Sequence, residues 1–167
     1  MLFDDKYELL HDRNNIKRIN SITEKEYYVR GSTAFLDAIG ITINNIGKSL
    51  FNTNEEERPG KVLFVIITDG MENSSREFSY EKIKEMIEHQ KSKYAWDFIF
   101  LGANIDAVTT AGSFGISADR AADFVSDSAG TQLNYKAVGE AVSSFRKFKK
   151  VDSNWKEEIE RDYKKRG

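Results

Sequence analysis

Val62-Leu63-Phe64-Val65-Ile66-Ile67-Thr68-Asp69-Gly70 is a run of six apolar residues that ends in a polar turn. Five of the six are β-branched or aromatic and no polar residue alternates with them, which predicts a strand covered on both faces, as in a parallel sheet with helices on either side. Open sheets of this kind present ligands at the carboxyl ends of their strands, and Asp69 lies at such an end. The pair Asp69-Gly70 also has a plainer reading, a turn and nothing more, because both residues favour turn conformations.

Upstream of this run, Gly31-Ser32-Thr33-Ala34 precedes Leu36, Ile39, Ile43, Ile46 and Leu50, spaced alternately three and four apart. That period predicts an amphipathic helix with Ser32 or Thr33 at its cap. A polar loop holding the chain's one proline, Pro59, joins it to the strand. Downstream, Ser79 is placed to cap a second helix with Tyr80, Ile83, Ile87 and Tyr94 inward, and Trp96 to Gly102 reads as a second buried strand. A short helix is expected from Asn104 to Gly112, started by Asn104 or Asp106. Ala122 to Val125 is a candidate edge strand, and a helix begins near Thr131 with Leu133, Tyr135, Val138, Val142 and Phe145 inward. This alternation of strand and helix predicts an α/β fold: three layers around a mostly parallel, doubly wound, Rossmann-like sheet.

The two ends of the chain differ from this middle. Leu2-Phe3, the turn at Asp4-Asp5 and the alternating Tyr7, Leu9 and His11 predict the end of one strand and a second, half-exposed strand. Asp12 to Arg30 has no clean period and reads as a surface connection. Residues 151–167 form a tail dense in Lys, Glu and Arg, with Trp155, Ile159 and Tyr163 four apart on one helical face. The main domain is accordingly expected over residues 1–150.

Composition narrows the function. The chain has 167 residues, enough for one domain with a real core, and a formal net charge of −2, which gives no general attraction to nucleic acid or to an anionic membrane. It contains no cysteine, so thiol chemistry and thiolate metal sites are excluded. Met1 to Leu10 lacks the basic start and apolar centre of a secretory signal, and a cytoplasmic address is the default expectation. There is no Gly-x-x-x-x-Gly-Lys-[Ser/Thr] loop, no Gly-x-Gly-x-x-Gly turn, and no histidine near a predicted strand tip apart from His11.

Gly31-Ser32-Thr33-Ala34-Phe35-Leu36-Asp37-Ala38-Ile39-Gly40 and Ile66-Ile67-Thr68-Asp69-Gly70-Met71-Glu72-Asn73 together resemble the von Willebrand factor A (vWA) family. Phe3-Asp4-Asp5 and Phe100-Leu101-Gly102-Ala103-Asn104 extend the resemblance over most of residues 1 to about 148. In that family a threonine and an aspartate from two such loops are parts of a metal-ion-dependent adhesion site. The resemblance implies that Thr33 and Asp69 are metal ligands for Mg²⁺ or Mn²⁺, with Ser32, Asp4, Asn73 and Asn104 as accessory residues at the strand tips. It implies binding rather than turnover, with the cation's open position filled by an acidic residue of a partner protein.

The family's site also uses an aspartate-x-serine-x-serine motif at the end of its first strand, and no such motif occurs in this chain. By that comparison the family's first strand and first helix would precede residue 1, and only part of the metal site is present. Cation affinity is expected to be weak or absent in the isolated chain, since a single carboxylate must be supplemented by water or a partner. An unpaired apolar strand edge is also expected, closed either by the Leu2 to Leu10 segment or by a second copy in a homodimer. Two other classes stay open: a structural or assembly subunit without metal, and an α/β enzyme handling phosphate or nucleotide with Asp4, Asp69 and Asn104 converging.

Overall fold

The computed structural model describes residues 1–23 and 31–167 of the chain; the last part of the expected surface connection, residues 24–30, lies outside the described residues. The apolar run does form a strand from its second residue on, β3 (Leu63–Thr68), counting after a two-stranded antiparallel hairpin of β1 (Leu2–Phe3) and β2 (Tyr7–Glu8). Among the described residues five α-helices accompany the strands: α1 (Phe35–Phe51), α2 (Tyr80–Tyr94), α3 (Ala107–Ser113), α4 (Ser128–Phe148) and α5 (Glu157–Arg166). With β4 (Asp97–Gly102) and β5 (Ala121–Asp123), β3 builds a parallel sheet in the order β3-β4-β5. Leu63 lies opposite Asp97, and Phe100 opposite Ala121. The architecture is mixed α/β with a Rossmann-like parallel sheet.

Two apolar clusters lie on opposite faces of this sheet. Phe64, Ile66, Phe98 and Phe100 point to the face covered by α1, α2 and α3, where Phe35, Ile83, Ile87 and Phe114 complete the packing. Phe100 and Phe114 meet edge to face with ring centroids 5.3 Å apart, an arrangement aromatic pairs prefer. Ile99, Leu101 and Ala122 point to the other face, toward Ala137, Ala141 and Phe145 of α4 and toward Val151, Trp155 and Ile159 of the C-terminal segment. That segment is fastened by polar contacts as well. The Trp155 indole N–H donates to the Asp119 carbonyl, and the Lys156 ammonium donates to the carbonyls of Ala118 and Ala121.

The helices start where local chemistry provides acceptors. Ser79 accepts from the Lys82 N–H and Asp106 from the Thr109 N–H, so both expected caps are present. The hydrogen bond to the Thr109 amide, followed by one to its hydroxyl, holds the Asp106 carboxyl below its usual range. α4 begins earlier than expected because Asp127 caps it by accepting from the Gly130 N–H.

Several expected details differ. Ala34, not Ser32 or Thr33, occupies the N-cap position of α1, and no side chain of that residue caps it. Tyr94, at the last turn of α2, is half exposed. Tyr135 is 59% exposed, and Asn134 is buried in its place at 1%. The inward stripe of α4 is set by its small residues: Gly130, Ala137 and Ala141 let the helix lie close to the sheet, and Leu133, Val138 and Val142 flank them half-buried. β2 ends at Glu8, leaving Leu9 and His11 exposed, with His11 beside the Asn14 side chain.

Candidate functional site

β3 leaves the sheet at Thr68, a buried residue whose hydroxyl donates to the Gly70 carbonyl at 3.1 Å and so turns the chain within two residues. Asp69 is thereby held out of the core, exposed at the strand tip. Its carbonyl accepts from the Asn104 side chain at 3.2 Å, a bond made from the loop after β4. Asn104 itself sits at φ 58°, in the left-handed region that Asn tolerates better than most residues.

The loop after Gly70 then docks on the start of α1. The Thr33 N–H donates to Asn73 Oδ1 at 2.9 Å, and the Asn73 N–H donates back to the Thr33 carbonyl at 3.0 Å. The Thr33 hydroxyl faces Gly70 so closely that a Cβ at position 70 would stand 3.3 Å from it. Asp4 is buried, and its carbonyl accepts from the Ala34 N–H. The structure thus brings Ser32, Thr33, Asp69, Asn73 and Asn104 to one end of the sheet, with Asp4 beside them.

Three residues that sequence reasoning did not single out hold this arrangement. Glu72 Oε2 accepts from the Leu36 N–H and Ser75 Oγ accepts from the Asp37 N–H, so the first amides of α1 are satisfied from the far loop. The Asp37 carboxylate answers in the opposite direction, accepting from the N–H groups of Arg76, Glu77 and Phe78 at 2.8–2.9 Å. Burial, and after it the Glu72 carboxylate, raises the pKa of the Tyr80 hydroxyl beside this junction. The only sequence signal for such mutual capping is a Ser-Thr helix start followed by an acid in the first turn, which looks the same as local capping.

The donor set suits a hard cation in type and falls short in charge. Oxygen ligands are available from the hydroxyls of Ser32 and Thr33 and from Asp69. Asn73 Oδ1 is taken by the Thr33 N–H and the Ser74 hydroxyl, and Asp4 Oδ1 is taken by the Lys6 N–H. Among the described residues, no group of three or more His, Cys, Asp or Glu side chains could hold a metal ion. Comparison with protein-family models, with curated proteins and with solved structures finds no match.

Beside this tip lies a cavity of about 340 Å³. It runs along the edge of β3 that no strand among the described residues pairs, between Phe3 of the hairpin, Ala38 and Ile39 of α1, and Thr131, Asn134 and Tyr135 of α4. β1 pairs with β2 and not with β3, so the hairpin borders the edge without closing it. No helix among the described residues is long and apolar enough to cross a membrane.

Proposed function

We propose that this chain is a non-enzymatic protein-binding module, vWA-like in design, that offers the tip of β3 to a partner. The observation that supports this reading is the reciprocal pair of hydrogen bonds between Thr33 and Asn73, which locks the Ser32-Thr33 loop against the loop that begins at Asp69. A Mg²⁺ or Mn²⁺ ion would be held by Asp69 and Thr33, with Ser32 and Asp4 nearby. When bound, such an ion supplies an open coordination position that takes a carboxylate from a partner. The chain's own part is to fix two ligands on a rigid junction and to keep Asp69 exposed. With one exposed carboxylate, binding in the isolated chain is weak, and a partner's acid strengthens it.

Mn²⁺ titration followed by water proton relaxation tests this, comparing the natural chain with Asp69→Ala and Thr33→Ala. The expected outcome is weak binding that Asp69→Ala abolishes and that acetate strengthens. Binding that survives Asp69→Ala unchanged would place the metal elsewhere. A second reading, a structural or assembly subunit without metal, is favoured by the commitment of Asn73 Oδ1 and Asp4 Oδ1 to hydrogen bonds within the protein. No binding by any of the three proteins, with or without acetate, would support it.

A further inference from the structure

β3 has the unbroken apolar sequence of an interior strand and, among the described residues, stands at the edge of its sheet. The Asp97 N–H donates to the Val62 carbonyl and the Ala103 N–H to the Thr68 carbonyl, which fixes the phase of the parallel ladder. Backbone groups of successive strand residues point to opposite sides, so Phe64 and Ile66 face β4 while Leu63, Val65 and Ile67 turn their N–H and C=O groups the other way. That way lies the cavity. No strand among the described residues pairs with this side.

A second group in the cavity also lacks a partner. Asn134 is 1% exposed and lines the cavity from α4, and its amide oxygen is buried without a hydrogen bond among the described residues. An unsatisfied buried acceptor destabilises the fold, so an apolar residue here would serve it better than Asn does. That oxygen is closed off from the space as it stands, and a half-turn of the side-chain amide about its soft last torsion brings it to a donor in the cavity.

We infer that the cavity beside β3 receives an extended apolar peptide strand, which pairs with the backbone of Leu63, Val65 and Ile67 and donates a hydrogen bond to Asn134. The spacing fits: free pairs on alternate residues repeat about every 6.6 Å, the repeat of an added strand. The wall from α1 is apolar at Ala38 and Ile39 and the wall from α4 is mixed, with Thr131, Asn134 and Tyr135, so the peptide carries apolar side chains toward α1 and one hydroxyl or amide donor opposite Asn134. A second folded copy fits less well. Its own β3 edge is recessed between α1 and α4 in the same way, and two recessed edges cannot meet. The inference deepens the protein-binding reading and rests on it, but it does not need the cation.

The test is amide hydrogen exchange of the full chain with and without a blocked synthetic octapeptide of Val, Ile and Thr ending in a lysine at each end, run in EDTA so that failure of the cation reading leaves it intact. The peptide is expected to slow the amides of Leu63, Val65 and Ile67 by about tenfold or more while leaving those of Phe64 and Ile66 unchanged, because the latter are already paired. Asn134→Leu is expected to fold at least as stably as the natural chain and to bind the peptide about two- to tenfold more weakly, the worth of one hydrogen bond. Uniform exchange across Leu63 to Ile67 with peptide present overturns the proposal. So does protection that appears without peptide, rises with chain concentration and accompanies a doubled mass in light scattering, which would assign the edge to a second copy. Equal peptide affinity in Asn134→Leu removes Asn134 from the site.

Discussion

Trp96–Gly102 and Val62–Thr68 are apolar runs of similar length and composition, yet β4 is buried at every residue after Asp97 whereas β3 is buried only at Phe64, Ile66 and Thr68. β4 has a strand on each side and helices over both faces. β3 has β4 on one side and a cavity on the other, and the residues whose side chains share a face with α4, namely Leu63, Val65 and Ile67, are half-buried. The same kind of sequence therefore gives a finished strand in one place and an unfinished one in the other. Hydrophobic patterning records the environment a strand is built for, and the structure records the environment the described chain provides.

Substitutions along the two strands can sharpen or break this contrast. Phe100→Ala in β4 should cost about 3–5 kcal/mol in urea unfolding, because it empties a fully enclosed site against Phe35 and Phe114. Ile66→Ala should come next, at about 2–4 kcal/mol, since its side chain lies in the same enclosed cluster. A cost below about 1 kcal/mol there would mean that β3 is loose on both faces. Val65→Ala, on the half-open face, should cost about 1 kcal/mol or less in stability while weakening the octapeptide, and a cost matching that of Ile66→Ala would show the face to be closed.

Away from the strands, Asp37→Ala removes the acceptor for three backbone amides and should cost about 2–3 kcal/mol. A loss of stability with no change in exchange at residues 76–78 would contradict the mutual capping. The smallest effect concerns α5, where the Arg166 guanidinium bonds both Asp127 and Asp162. The Asp127 carboxyl is held below its usual range first by the Gly130 N–H and then by Arg166, and the Asp162 carboxyl first by Arg166. Because these values are depressed in the folded state, their stabilisation is complete above the ordinary aspartate pKa of about 3.9 and is lost as the pH falls through the lower folded values. Trp155 fluorescence should therefore report loosening of the C-terminal segment in strong acid and none between neutrality and the ordinary carboxylate range. Arg166→Ala should speed amide exchange in residues 157–166 with little change in the urea midpoint.

The parts of the molecule that the sequence made legible are those whose cause is local. The apolar runs of β3 and β4 need no distant partner to be recognised, and the caps at Ser79 and Asp106 act on amides three residues away. What was not legible depends on partners far along the chain. Ser32-Thr33 carries the local signature of a helix cap, but Glu72 and Ser75 satisfy the helix instead, and this frees the Thr33 side chain to face Gly70. On α4 the larger apolar residues suggested one stripe, whereas close approach to the sheet selected the small ones, and Asn134 came inward with them. The candidate site was legible to the extent that Thr33 and Asp69 belong to one end of the sheet. The cavity was not, since it arises from the relative placement of β3, the hairpin, α1 and α4.

The exchange of caps between α1 and the Glu72–Phe78 segment also bears on the order of folding. A helix whose first amides are closed by residues 36 and 38 positions away cannot secure its own beginning. Closing a loop of that length costs entropy that local contacts do not repay, so the first turn of α1 should form together with the loop after β3 and not before it. In refolding, the amides of Leu36 and Asp37 should become protected in step with those of residues 76–78, later than the middle of α1. The start of this helix and the far loop would then behave as one kinetic unit, and a ligand that holds the strand tip would slow the opening of both.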